Sequence, residues 1–216
     1  MSYGSDFKRF LYREFVPVTK GSIMLMVAVT FLSLILGVFG VSLSQWLRLN
    51  PGMVWARPWT LLTFPLVNDI VSTVFAALWL WFIGSSLERT WGSKRYRRFL
   101  LLAILITGLA FTGVKLLTGK SLATFGMWLP LTGITWAWSE LFPDRELLFW
   151  GIMPIKARWL AWIHAALIFA SYAHYDLLYA LAAVSSIVLV YWKEPAAGRG
   201  GKERRRVRRT RMRVVK

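Results

Sequence analysis

The chain has 216 residues, of which 56% are hydrophobic, with a mean hydropathy of +0.50 and a formal net charge of +17. With only 17% charged residues and many helix-length apolar runs it does not fit a soluble domain, and its 13 tryptophans suit a membrane interface. No cysteine and only two histidines, His164 and His174, exclude a disulfide framework, a thiolate metal site and a cysteine nucleophile, and no motif calls for a metal or other cofactor.

Residues 1–21 are polar or mixed and no small-residue cleavage pattern follows the first apolar run, so they read as a cytoplasmic N-terminal segment and the run itself as a retained anchor. Six apolar segments follow, at 23–43, 70–87, 98–117, 122–141, 157–172 and 177–192. Most approach the ~20 residues that cross a hydrocarbon core, and the last two are the shortest. They predict an all-α membrane domain over 22–192 with six transmembrane helices.

The stretch "SQWLRLNPGMVWARPWTLLTFPLVN" between the first two segments is too apolar for a solvated loop, and Pro51, Pro58 and Pro65 break it too often for a span. A membrane-embedded first loop, part interfacial and part re-entrant, is expected there. Residues 193–216 form a basic tail with almost nothing apolar to pack, expected to be disordered until it meets an anionic surface. Arg204, Arg205, Arg206, Arg208, Arg209, Arg211 and Arg213 are its candidate anionic-lipid-binding residues. No aromatic side chain stands between these arginines for base stacking, so nucleic acid or ribosome contact is the lesser expectation.

Placing both termini in the cytoplasm leaves only Arg48, Arg57, Lys115 and Lys120 outside, which follows the positive-inside rule at every loop. The expected location is an integral one in a bacterial inner membrane.

Three motifs then point to a family. "RPWTLLTFPLV", "FIGSSLERTWGSKRYRRFLLL" and "ELFPDRELLFWGIMPIKARWLAWI", in this order, resemble the rhomboid family over residues 54–192. The resemblance rests on Arg57, Trp59, Gly84, Glu88, Gly92, Gly126 and Gly133, of which the junction with Gly84, Glu88 and Gly92 is the most specific part. Each has a physical use as well. Glu88 can pair with nearby arginines or with backbone donors in the following turn, Gly92 suits a positive-φ cap, and Arg57 can lie against the aromatic faces of Trp55 and Trp59.

The resemblance implies a six-helix fold and, in active members, a serine–histidine dyad with oxyanion donors. Counting back from Phe142 and Pro143, the serine position holds Trp128 and the following glycine position holds Leu129. The histidine position holds Leu181, and the oxyanion positions hold Ser72 and Ala76. All four chemical positions are replaced, so the expected catalytic residues are none and the chain is expected to be a pseudoprotease. A shifted dyad of Ser121 and His174 is the fallback, although Ser121 lacks the following glycine and also suits a helix N-cap.

His164, alone on an apolar helix, reads as a buried neutral histidine bonded to a backbone carbonyl, and Ser185 and Ser186 as helix-packing residues. Inactive rhomboids such as derlins imply binding of transmembrane clients. The alternative is a structural subunit of a larger membrane complex, and in either case the partners are integral membrane proteins and membrane lipids.

Overall fold

The computed structural model describes residues 16–149 and 153–193, so the arginines of the basic tail lie outside the described residues. Pro17 opens helix α1 (Pro17–Val38), where its fixed φ suits the first turn and its missing N–H costs nothing. Only Thr19, Met26 and Thr30 of α1 are buried, along one stripe, while Met24, Phe31, Ile35 and Val38 stand mostly exposed. An apolar surface of that extent belongs against lipid.

The connection to the next long helix is built from short pieces: α2 (Leu43–Leu47), a 3₁₀ turn at Pro51–Met53, α3 (Thr60–Thr63) and a second 3₁₀ turn at Phe64–Leu66. Pro51 and Pro65 each stand in the first two positions of a 3₁₀ turn, where a missing donor is tolerated. Leu49, Pro51, Val54, Phe64 and Pro65 are buried, so this connection packs onto the bundle rather than leaving it.

Asp69 caps α4 (Ile70–Trp91), its carboxylate accepting the Ser72 N–H at 2.9 Å and the Ser72 hydroxyl at 2.6 Å. A π turn at Leu80–Gly84 lies within α4, and just past it the Ser85 hydroxyl bonds the Trp81 carbonyl. Gly92, at φ +81°, turns the chain into α5 (Ser93–Thr118), which Gly119 ends at φ +73°. A side chain at either glycine would force a Cβ into the left-handed region.

Helix α6 (Trp128–Leu141) is followed by an antiparallel hairpin of β1 (Glu146–Phe149) and β2 (Met153–Lys156), with Glu146 opposite Lys156. Next come α7 (Ala157–Ala173) and α8 (Leu177–Ala183), then a 3₁₀ turn at Ser185–Ile187 and α9 (Val188–Lys193). The hairpin has no counterpart in the sequence reading.

The described fold is thus helical, and α1, α4 and α5 are long and apolar enough to cross a membrane. The count of six spans is not confirmed. Helix α6 has 14 residues, about 21 Å at 1.5 Å per residue, and the expected sixth span is broken into α8, a 3₁₀ turn and α9. Helix α6 is buried continuously from Leu129 to Ser139, so other elements rather than lipid enclose it.

The predicted fourth segment, 122–141, is also corrected at its start. Residues 122–127 are not helical, because Thr124 exchanges two backbone bonds with Leu49, at 3.0 and 2.8 Å, and the Gly126 N–H donates to the Phe64 carbonyl at 2.9 Å. A helix there would leave those loop groups unpaired.

Candidate functional site

The residues at the expected catalytic positions are distributed over three helices, α4, α6 and α8. Trp128 is the first residue of α6, so Pro130 falls in the first turn, where it needs no N–H, and the proline does not interrupt a helix. Just upstream, Gly126 adopts φ +102° and the Met127 N–H donates to Asn68 Oδ1 at 3.2 Å. Asn68 is itself held by donating to the Pro65 carbonyl at 2.8 Å. The first connection therefore sets where α6 begins.

Trp128 packs among aromatic rings. Its ring stands edge-on to Trp79 of α4, at 6.0 Å between centroids, and to His164 of α7, at 5.8 Å. Leu181 is 52% exposed, while its neighbours Ala180, Ala182 and Ala183 face the interior of the bundle. Trp128, Trp79 and His164 thus form an aromatic cluster between α4, α6 and α7.

Thr135, on α6, ties that cluster together. Its hydroxyl donates to the Leu131 carbonyl at 2.7 Å, which uses its one proton. Its oxygen then accepts Trp79 Nε1–H at 2.9 Å and meets His164 Nδ1 at 3.2 Å. With the hydroxyl proton directed at Leu131, the His164 tautomer that completes this contact is the one protonated on Nδ1, and Nε2 is buried without a partner among the described residues. The expected backbone-carbonyl partner of His164 is therefore replaced by the Thr135 hydroxyl. Sequence spacing alone could not pair Thr135 with His164, which lies 29 residues further along the chain.

The remaining positions separate as well. The Ser72 hydroxyl is spent on Asp69 at the start of α4, and Ala76 is fully buried in the same helix. The Ser121 hydroxyl donates to Asn50 Oδ1 at 3.1 Å and accepts the Gly52 N–H at 3.2 Å. His174 is exposed at the end of α7 with its ring against Tyr175, and among the described residues no hydrogen bond joins it to Ser121. Ser121 is therefore a loop-to-loop tie and not the cap of a helix, since α6 starts seven residues later.

The motif residues hold the bundle together. Glu88 is 2% exposed and accepts from the Val18 N–H at 3.0 Å, the Thr19 N–H at 2.8 Å and the Thr19 hydroxyl at 2.8 Å. Its partners are thus donors at the start of α1, a helix 69 residues earlier, and not those of the following turn. A carboxylate at that end also meets the positive pole of the helix.

Gly84 clears space for Tyr96, since a Cβ there would lie 2.5 Å from the Tyr96 hydroxyl oxygen. Gly133 lets α6 touch the 3₁₀ turn before α9. A Cβ there would lie 2.8 Å from the Ser186 carbonyl oxygen, and the Gly133 N–H meets Ser186 Oγ at 3.1 Å. Arg57 lies over the ring of Trp46, at 4.3 Å, and not between Trp55 and Trp59. Trp59 supports that stack by donating its indole N–H to the Trp46 carbonyl at 3.2 Å.

Comparison with known proteins places the chain in a family. Residues 23–192 match a family described as eukaryotic integral membrane proteins, DUF1751. The chain belongs to that family. It is also 28% identical over 136 residues to Rhomboid-like protein 19 of Arabidopsis thaliana, a match covering 58% of this chain and 43% of that protein. The chain therefore matches less than half of that relative's length. The rhomboid resemblance and the integral membrane assignment agree with both matches, whereas a family described as eukaryotic gives no support to a bacterial inner membrane.

In this DUF1751 member a groove of about 450 Å³ lies between α1 and α4. Val27, Phe31 and Leu34 of α1 face Val74, Leu78 and Trp81 of α4 across it. Thr30 and Thr73 also line it, their hydroxyls 2.8 Å apart, so its wall is almost wholly apolar. Such a surface offers packing to another apolar segment and no group for covalent chemistry.

Proposed function

We propose that the chain is a non-catalytic rhomboid-like membrane protein that binds the transmembrane segments of partner proteins. The observation that carries this reading is the content of the catalytic positions: Trp128 and Leu181 supply neither nucleophile nor base, and Leu181 is largely exposed. Ser72 and Ser121 are spent on structural hydrogen bonds. His164 Nε2 is buried with no hydroxyl bonded to it among the described residues.

The apolar groove between α1 and α4 supports client binding, since helix association in lipid depends on close packing and a few polar contacts. Stable docking in a larger complex as a structural subunit is the second reading, favoured by the largely exposed apolar surface of α1. In both readings the termini face the cytoplasm and the arginine tail rests on an anionic leaflet, each Lys or Arg gaining about 1 kcal/mol near the surface.

Two measurements test the proposal. A serine-reactive fluorophosphonate probe should leave the purified protein unlabelled; labelling abolished by Ser121→Ala would restore the protease with a Ser121–His174 dyad. A photo-crosslinker at Phe31 should capture a transmembrane partner in native membranes. A stoichiometric complex surviving mild detergent would select the subunit reading, and substoichiometric capture the client reading.

A further inference from the structure

The first connection carries a second concave feature, which the binding of transmembrane partners does not use. It is a pocket of about 290 Å³ lined by Gln45, Arg48, Asn50, Met53, Arg57 and Thr60. Among the described residues no carboxylate lines it and neither arginine has an ion-pair partner. From this pocket we infer that the protein holds the phosphate of a glycerophospholipid headgroup between Arg48 and Arg57.

The polar groups around it are arranged to donate. The guanidinium of Arg57 lies over the Trp46 ring at 4.3 Å, a stack that fixes its position while leaving its N–H edge available. Asn50 has its side-chain oxygen occupied by the Gly52 N–H, at 3.0 Å, and by the Ser121 hydroxyl, at 3.1 Å. Its amide N–H₂ is therefore what remains for a guest. Thr60 points its own proton at the Arg57 carbonyl, at 2.7 Å, which braces the arginine backbone. Two cations and an amide donor without an acid match an anion with several acceptor oxygens. The volume admits a phosphodiester with some of its waters, each water taking roughly 30 Å³.

The surroundings select a lipid as the source of that phosphate. Trp46, Met53, Trp55 and Trp59 are all exposed around the pocket, Trp55 at 89%. Tryptophan settles at the headgroup level of a bilayer, so the mouth of the pocket lies at the depth where lipid phosphates are found. A soluble anion would require no such apolar collar.

The experiment uses the full chain in neutral detergent, with thermal unfolding followed by tryptophan fluorescence while phosphatidylglycerol is added. The wild type should show a saturable rise in Tm. Arg48→Gln and Arg57→Gln should each need about tenfold more lipid for half of that rise, the loss expected for one charge-assisted pair. Arg48 is exposed and without a partner among the described residues, so Arg48→Gln decides the matter even if removing the Arg57 stack prevents folding. A tail variant, Arg208→Gln with Arg209→Gln, should titrate like the wild type. Inorganic phosphate at the same concentrations should leave Tm unchanged. Wild-type behaviour of Arg48→Gln, loss of the rise in the tail variant alone, or its reproduction by inorganic phosphate would each overturn the assignment.

Discussion

Replacing Glu88 by glutamine probes how the first helix is held to the rest of the bundle. The carboxylate accepts three hydrogen bonds from α1, two from backbone N–H groups and one from Thr19, with both oxygens engaged. Glutamine keeps one oxygen but turns an –NH₂ toward donors, so one side of the interaction is broken and the other loses its charge. Hydrogen bonds to a charged group contribute about 1.5–3 kcal/mol and neutral ones about 1 kcal/mol, and the helix dipole adds a further fraction. The expected loss is therefore roughly 2–4 kcal/mol. In a domain of this size each kcal/mol moves Tm by about 2–4 °C, so Tm should fall by roughly 5–15 °C.

The absence of cysteine rules out thiol-reactive dyes, and the 13 tryptophans make intrinsic fluorescence the natural readout. Thr19→Val, which removes only the hydroxyl bond, should cost about 1 kcal/mol, and the double variant should lose less than the sum of the two. A Glu88→Gln protein that melts within about 1 °C of the wild type would refute the role given to this carboxylate.

Three further outcomes follow from the geometry. Gly84→Ala should destabilise by about 1–3 kcal/mol through contact with the Tyr96 hydroxyl, and Tyr96→Phe should restore most of the loss, both read from Tm. Thr135→Val should strand the Trp79 and His164 donors and cost roughly 2–4 kcal/mol, with a shift in tryptophan emission. Acid should remove two helix caps. The Ser72 hydroxyl and N–H hold the Asp69 carboxyl below its ordinary 3.8, and the Leu178 N–H, aided by Lys120, does the same for Asp176. Because the folded values are depressed, the stabilisation is complete above about pH 4 and fades as pH falls through them. The Tm difference between wild type and Asp69→Asn or Asp176→Asn should therefore shrink below pH 4.

Much of the site was legible only in outline. Gly92 at a positive φ, Gly133 at a close helix contact and Ser186 as a packing residue follow from local rules that the sequence displays. Trp128 could be placed at the head of α6 by counting, yet its neighbours could not, because Trp79 and His164 arrive from α4 and α7. Leu181 shows the limit of counting most clearly. A position can correspond in sequence while its side chain faces out of the bundle.

By itself the sequence determined that this is a helical membrane protein of rhomboid-like type, and the first three of its six expected spans fall on the three helices long and apolar enough to cross a membrane. A bilayer demands long apolar runs with locally satisfied backbone, and such runs can be recognised one segment at a time. The tertiary structure decided where α6 begins, what Glu88 binds and which side chain meets His164. Each of these depends on a hydrogen-bond partner dozens of residues away, and no local pattern encodes which distant donor or acceptor will fold into reach.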